Sequence, residues 1–387
     1  RLHFFLHESS IMKALLLSAY DAQSHGVWRK NLKTMFPNIE WVELLLPARY
    51  FPWRVRGNSL SWAFNHRDVL TDNYDLLLST SMTDLSALRG FVPQICSIPS
   101  IVYYHENQFA YPSNPNPLAR PVNMVEPQIL SLYTALCADA VVFNSEYNRS
   151  SFLDGATALL KKLPDHVPEG LLRCIEQANI IPVPLSDDLF DDAPKRHDSD
   201  ILEIVWNHRW EYDKGPQLLL AIVEQLIVRQ LPFRLHLLGQ RFRVAPAEFA
   251  QIQQLLDTYY ANTGIAAGHC GFVEPQEDYF QCLRDADVVL STAAHDFQGL
   301  SILEGCALGC APLAPRRLVY PEYLPHECLF ADSADLQESS NSAANTLQHW
   351  AMLKRAGQTL PSPVLDQFRQ GRLQGEYQRL FESVLVK

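Results

Sequence analysis

Short continuous apolar runs recur along the chain, and most are followed by a stretch with helical spacing. Lys13–Ser18, Trp41–Leu46, Tyr74–Ser79, Ser100–His105 and Asp139–Ser145 form a first series, which Asn179–Pro184 closes. Ile201–Trp206, Phe233–Gly239, Ala266–Phe272, Asp287–Leu290 and Ala311–Ala314 form a second. Runs that do not alternate apolar with polar residues predict strands covered on both faces, as in a parallel sheet. Helices are predicted over Val27–Phe36, from the Asn144-Ser145 cap to about Leu153, and over Gln217–Arg229, Pro246–Tyr260 and Tyr279–Arg284. One more opens at Leu300, and two end the chain, the last running from about Pro363 to Val386. Strands alternating with helices in two series predict two doubly wound α/β domains.

The length, 387 residues, suits two such domains of roughly 150–200 residues each. The stretch 186–200 is acidic, contains proline and has no periodicity, which marks an interdomain linker. The expected division is 12–185, linker 186–200, 201–362, and a terminal helix 363–387 with the option of crossing back to the first domain. Residues 1–11 read as upstream or expression-derived sequence, and Met12 as the natural start.

Composition narrows the class. The formal net charge of -11 opposes a broadly basic nucleic-acid-binding surface, although it allows a local patch. The eight cysteines are scattered without a C-x-x-C pair, which is the usage of a reducing compartment, and the cytoplasm is the expected location. Cys306 and Cys310 lie one helical turn apart with no second ligand pair, so packing explains them better than a metal. No apolar run is long enough to span a bilayer.

The richest chemistry lies in Ser291–Gly309. A strand, a loop containing Gly299 and a helix start leave backbone N–H groups directed past the strand end, a suitable place for phosphate or sugar oxygens. Asp296 and Glu304 bracket this helix start. A carboxylate beside a phosphate is unfavourable, but it accepts well from a pair of sugar hydroxyls; the plainer alternative is that both acids complement the helix dipole. Arg209 and Lys214 flank a turn after the strand Ile201–Trp206, beside another helix start, and two fixed cations with helix amides suit a diphosphate leaving group. In the first domain, His105-Glu106-Asn107-Gln108 ends a strand where open α/β sheets bind ligands. The stretch 47–56 reads as a loop that interleaves Tyr50, Phe51 and Trp53 with Arg49, Arg54 and Arg56. It suits bases and phosphates, or equally a packed loop with solvated arginines. Asp187-Asp188 and Asp191-Asp192 read as solvated linker acids rather than a metal motif. Pro164-Asp165-His166 lies in a loop, and its residues do not indicate a role.

These pieces resemble the retaining GT-B glycosyltransferases, which have two Rossmann-like domains with a cleft between them. Asp296 to Glu304 matches their E-x7-E signature with Asp in the first place, and Arg209 and Lys214 match their R-x4-K pair. Further matches are Ser24-His25, Trp53-Arg54, Tyr104–Gln108, Val142–Ser145, Pro164–His166, Asn207–Lys214, His295-Asp296-Phe297 and Leu318–Glu322. Jointly they resemble the tRNA-queuosine α-mannosyltransferase family. The resemblance implies mannose transfer from GDP-mannose to the cyclopentenediol of queuosine in tRNA-Asp, with neither a metal nor another cofactor. It implies that His105, Arg209, Lys214 and Asp296 are catalytic. Ser24, His25, Asn207, His295, Phe297, Gly299, Leu300 and Glu304 would join Arg209, Lys214 and Asp296 in holding the donor. Arg49, Trp53, Arg54, Arg56, Glu106, Asn107, Gln108, Arg316 and Arg317 would face the acceptor tRNA. Asp296, one methylene shorter than Glu, and Gln298, in place of an aromatic or glycine, depart from the family pattern. Two other readings fit the same residues: a retaining hexosyltransferase acting on a lipid, glycan or small molecule, and a non-catalytic sugar-nucleotide or RNA-binding protein.

Overall fold

The computed structural model describes residues 11–112, 124–164, 166–191, 199–242 and 245–386. Asp165 and residues 192–198, which carry parts of two expectations above, lie outside the described residues, as do 1–10. The described residues fall into two compact units, with 11–111, 124–184 and 368–386 in the first, and 112 and 185–367 in the second.

The first unit runs β1 (Lys13–Asp21), α1 (Gln23–Met35), β2 (Glu40–Pro47), α2 (Phe51–Asn65), α3 (Arg67–Leu70), β3 (Leu76–Thr80), α4 (Leu85–Phe91), β4 (Ser100–Tyr104), α5 (Val125–Cys137), β5 (Ala140–Phe143), α6 (Glu146–Leu160), α7 (Arg173–Glu176) and β6 (Asn179–Ile180). The last helix of the chain, Gln370–Leu385, completes it. The sheet is parallel in the order β2-β1-β3-β4-β5-β6. Its strands are buried on both faces, as unbroken apolar runs require. Leu15, Leu17 and Leu77 pack with Val55, Trp62 and Leu88 on one face. Val102, Tyr104 and Phe143 pack with Leu132 and Phe152.

The second unit runs β7 (Leu202–Asn207), α8 (Pro216–Val228), β8 (Phe233–Leu238), α9 (Glu248–Thr263), β9 (Cys270–Gly271), α10 (Gln276–Arg284), β10 (Val288–Leu290), α11 (Leu300–Ala307), β11 (Ala311–Pro315), β12 (Leu329–Phe330) and α12 (Leu336–Arg355). Its parallel sheet has the order β12-β11-β10-β7-β8-β9. In each unit the strand order reverses once, between β1 and β3 and between β7 and β10. Loops leaving such a pair diverge and open a crevice at the carboxyl ends of the strands.

Three expectations change. The stretch 47–56, read as a loop, is a loop only to Tyr50, where α2 starts. Tyr50 takes a left-handed φ of 56°, and Pro52 sits in the first turn, where its missing N–H is not needed. The buried face of α2 includes Asn58 and Ser59 between Val55 and Trp62. That polar interruption hid the helical period, and burial is tolerated because the Asn58 amide donates to the carbonyls of Arg54, Val55 and Met82. Second, α1 starts at Gln23, which puts Ser24 and His25 in its first turn rather than in a loop. Third, the beginning of the expected linker is structured: Asp187–Phe190 forms a 3-10 turn packed against α11, with Leu189 buried. Among the described residues, no helix is long and apolar enough to cross a membrane.

Candidate functional site

In the second unit the loops after β7 and β10 are stitched together at the switch point. The backbone N–H groups of Ala294 and His295 donate to the Asp213 carbonyl at 2.9 and 3.1 Å. Trp206 Nε1 donates to Thr292 Oγ1 at 3.0 Å, and that hydroxyl donates to the Lys214 carbonyl at 2.7 Å. Gly215, at φ +67°, lies so close that a Cβ there would sit 2.0 Å from the Thr292 carbonyl oxygen. Only glycine permits this approach.

The frame positions the ionic groups. Lys214 Nζ donates to the His295 carbonyl at 2.7 Å and lies 3.3 Å from the Asp213 carboxylate. His295 Nδ1 is 3.7 Å from the same carboxylate. Burial opposes ionisation of Asp213, but Lys214 and the neighbouring His295 outweigh it and hold the carboxyl below its usual range. Arg209 is half-exposed and pairs with Glu211 at 3.0 Å. Asp296 Oδ1 accepts the Gly299 N–H at 3.0 Å, and Oδ2 accepts the Tyr320 hydroxyl at 3.2 Å. Burial acts to raise its pKa, yet Lys214 and the Gly299 amide bring it down, so Asp296 is a carboxylate at neutral pH. Gly299 caps α11 at φ +73°. Behind it are Tyr320 and Tyr323, the latter donating to the Gln298 carbonyl at 2.9 Å. Phe297 is buried against His295, with ring centroids 4.7 Å apart.

Glu304 projects from the second turn of α11. Tyr279 donates to its Oε2 at 2.8 Å, and Asn207 Nδ2 donates to the Tyr279 oxygen at 2.9 Å and to the Ser301 carbonyl at 2.9 Å. Burial raises the Glu304 pKa to about 7 against the lowering effect of the Tyr279 bond. His208 Nδ1 meets Ser301 Oγ at 3.2 Å; burial and then Lys214 lower its pKa to about 4, so it is neutral. The structure thus brings Asn207, Arg209, Lys214, His295, Asp296, Phe297, Gly299, Leu300 and Glu304 to one end of one sheet. Sequence reasoning missed Asp213, Tyr279 and Tyr320. Asp213 and Tyr320 lie inside matched segments without a role of their own, Tyr279 only at the start of a predicted helix, and the partners of all three are remote in sequence. Arg317, expected on an acceptor surface, donates to the carbonyls of Ala293 and Thr292 and pairs with Asp332 at 2.8 Å, bracing the same loop. Its neighbour Arg316 is exposed.

The first unit carries a second cluster at its own switch point. The rings of His25 and His105 stack with centroids 4.0 Å apart. His25 Nδ1 meets Ser18 Oγ at 3.2 Å, His25 Nε2 meets Glu106 Oε2 at 3.2 Å, and Ser81 donates to Glu106 Oε1 at 2.8 Å. Trp28 and Tyr103 wall in His105, and neither of its ring nitrogens has a hydrogen-bond partner among the described residues. Burial and then His25 hold its pKa well below the usual histidine value, so it is neutral. Ser24 precedes His25 on the same turn and is partly buried. Asn107 closes the turn after His105. Its amide donates to the Asn148 carbonyl, Asn148 Oδ1 and Ser151 Oγ, and its oxygen accepts from the N–H groups of Phe109 and Ala110. Gln108 is buried against Met82. Arg49, Trp53, Arg54 and Arg56 lie at or on α2; Arg56 pairs with Asp84 and Glu126 at 3.0 and 3.1 Å. Among the described residues, no group of three or more His, Cys, Asp or Glu is arranged to hold a metal ion.

Residues 13–185 match a family model described as tRNA-queuosine alpha-mannosyltransferase N-terminal. A tRNA-queuosine alpha-mannosyltransferase from Drosophila melanogaster is 31% identical over 322 residues, covering 80% of this chain and 79% of that protein. Among solved structures, the chain is similar to HepE of Anabaena in complex with UDP and glucose. There the TM-score is 0.60 at 14% identity, over 96% of this chain and 100% of that one. It is similar also to sucrose-phosphate synthase of Thermosynechococcus elongatus, with TM-score 0.64 at 14% identity, over 97% and 99% of the two chains. At such identities the structural likeness shows the fold, a GT-B arrangement of two parallel-sheet units, while the sequence relative shows the kinship. The chain belongs to the tRNA-queuosine alpha-mannosyltransferase family and is a glycosyltransferase.

Proposed function

We propose that the protein transfers mannose from GDP-mannose to the cyclopentenediol of queuosine in tRNA-Asp. The observation that carries the donor half is Lys214, fixed at 2.7 Å on the His295 carbonyl, beside Asp296 and the start of α11. A diphosphate gripped there leaves with its charge stabilised by Lys214, Arg209 and the first-turn amides of α11, with no divalent metal. Glu304 accepts the ribose hydroxyls and Asp296 those of the hexose. The neutral ring of His105 positions the hexose, and the departing phosphate takes the proton of the acceptor hydroxyl, which attacks from the same face.

The acceptor half draws on the family and on the 47–67 surface. That stretch has four arginines and neither Asp nor Glu, in a chain of net charge -11. Tyr50, Trp53 and Phe64 are 72%, 53% and 67% exposed there, rings on which unstacked bases of an RNA loop can lie. Arg49 and Arg54 are its phosphate contacts in this proposal, since Arg56 is neutralised by Asp84 and Glu126. The double substitution Trp53→Ala with Arg54→Glu should weaken tRNA binding tenfold or more at fixed salt and leave GDP affinity unchanged. Equal tRNA affinity in variant and wild type would remove this surface.

The reaction itself is tested by incubating the protein with GDP-mannose and queuosine-containing tRNA in excess chelator, then weighing the wobble nucleoside. One mannose increment is expected, at least tenfold slower with His105→Ala. Transfer only to lipid, glycan or small-molecule acceptors, or GDP binding without turnover, would overturn the proposal.

A further inference from the structure

We infer that Tyr279 is a positioning residue for the donor, fixing the Glu304 carboxylate so that it grips the cis-diol of a ribonucleoside diphosphate. The inference rests on the reading of Glu304 as the holder of the ribose.

The direction of the hydrogen bonds follows from counting protons. The Asn207 amide has two N–H groups, and both are used: one on the Tyr279 oxygen at 2.9 Å, the other on the Ser301 carbonyl at 2.9 Å. An amide nitrogen cannot accept, so the Tyr279 oxygen accepts from Asn207, and its single proton points to Glu304 Oε2, 2.8 Å away. Oε2 is therefore engaged as an acceptor, which fixes the plane of the carboxylate. Among the described residues no other group bonds to that carboxyl, and Oε1 keeps its lone pairs for a sugar hydroxyl. Asn207 Oδ1, buried and without a partner among the described residues, is a second acceptor in the same cluster. The cluster is tied to β7 through Asn207, to α10 through Tyr279 and to α11 through Ser301 and Glu304. The donor's sugar thus meets a preorganised acceptor rather than a side chain that must first be ordered.

The same bond tunes charge. A diol donates two hydrogen bonds and favours the ionised carboxylate. Burial of Glu304 works against ionisation and brings its pKa to about 7, while the Tyr279 bond works for it. The other titratable groups around it are His208, which meets Ser301 from the end of β7, Cys306 on α11 itself, Cys310 near Tyr279, and Asp187 and Asp188 on the turn packed against α11. His208, with its pKa near 4, and the two thiols, raised by burial, stay neutral between pH 6 and 9. Without the Tyr279 hydroxyl, Glu304 takes up its proton at higher pH, and the grip on the diol fails in a range where the wild type still binds.

The test is titration of the full chain with GDP and with 2′-deoxy-GDP from pH 6 to 9, for wild type, Tyr279→Phe and Glu304→Gln. Wild type should bind GDP about tenfold more weakly for each unit below pH 7, and prefer GDP to the deoxy compound tenfold or more. With Tyr279→Phe the fall should begin at higher pH, with GDP binding about tenfold weaker at pH 7 but approaching wild type at pH 9, and a smaller ribo-to-deoxy ratio. Glu304→Gln should bind weakly and without pH dependence. Should Tyr279→Phe not fold, Asn207→Ala, which frees the hydroxyl to rotate, should shift the pH profile the same way. A loss that is uniform across pH, or an unchanged ribo-to-deoxy ratio, would overturn the role of Tyr279. Absence of GDP binding by the wild type would instead overturn the reading of the donor site.

Discussion

Replacing Lys214 with alanine is expected to lower the turnover of sugar transfer by about 10²–10³-fold or more, the range for loss of one preorganised group that meets developing charge. The geometry explains why one side chain matters this much. Lys214 is largely buried, and its ammonium is held by the His295 carbonyl and the Asp213 carboxylate before any donor arrives. A cation fixed in place and partly dried stabilises a departing diphosphate without having to reorganise as the bond breaks. Arg209 is half-exposed and pairs with Glu211. It is more hydrated, and Arg209→Ala should cost less. Lys214→Ala also leaves Asp213 and Asp296 without the Lys214 ammonium, which destabilises buried carboxylates. Thermal unfolding must therefore accompany the kinetics. A folded Lys214→Ala protein with near-wild-type turnover would remove the residue from the mechanism.

Much of the second unit was legible because its chemistry is local. Unbroken apolar runs located the strands to within a few residues. The polar residues after β7 and β10 marked loop positions that the strand order then brought side by side. What the sequence could not show was the tertiary pairing that decides how each group behaves. Asp213 follows Tyr212 without distinction until its carbonyl is seen to hold the loop at Ala294 and His295. Tyr279 and Tyr320 are unremarkable aromatics until their hydroxyls are found on the two site carboxylates. In the first unit, α2 escaped detection because a buried asparagine and serine break its apolar stripe. Four polar residues stand at the strand end after β4, and spacing alone could not show that Asn107 bonds to Asn148 and Gln108 to Met82.

The second large effect separates the two acids that sequence spacing alone treats as a pair. Asp296→Asn should lower kcat by about 10²–10³-fold with little change in donor KM. Glu304→Gln should raise donor KM by about tenfold at pH 8, the worth of one lost charge-assisted hydrogen bond, and leave kcat within about threefold. The reason is where each charge sits. Asp296 is kept ionised by Lys214 and the Gly299 amide, despite burial. A fixed negative charge there favours the positive character that grows on the hexose as its bond to the diphosphate lengthens, so it acts in the transition state more than in the bound complex. Asparagine keeps an oxygen for the Gly299 N–H, so the turn leading into α11 survives and the loss can be read as loss of charge. In the proposed reading Glu304, with its pKa near 7, holds the ribose, which does not change during the reaction, so its effect belongs to binding. Wild-type donor KM should accordingly climb as pH falls through about 7, because the proton removes the acceptor the diol needs, and Glu304→Gln should flatten that climb. Measuring kcat and KM for both variants between pH 6 and 9 decides the matter: a loss of kcat in Glu304→Gln equal to that in Asp296→Asn, or an unimpaired kcat in Asp296→Asn, would undo this division of labour.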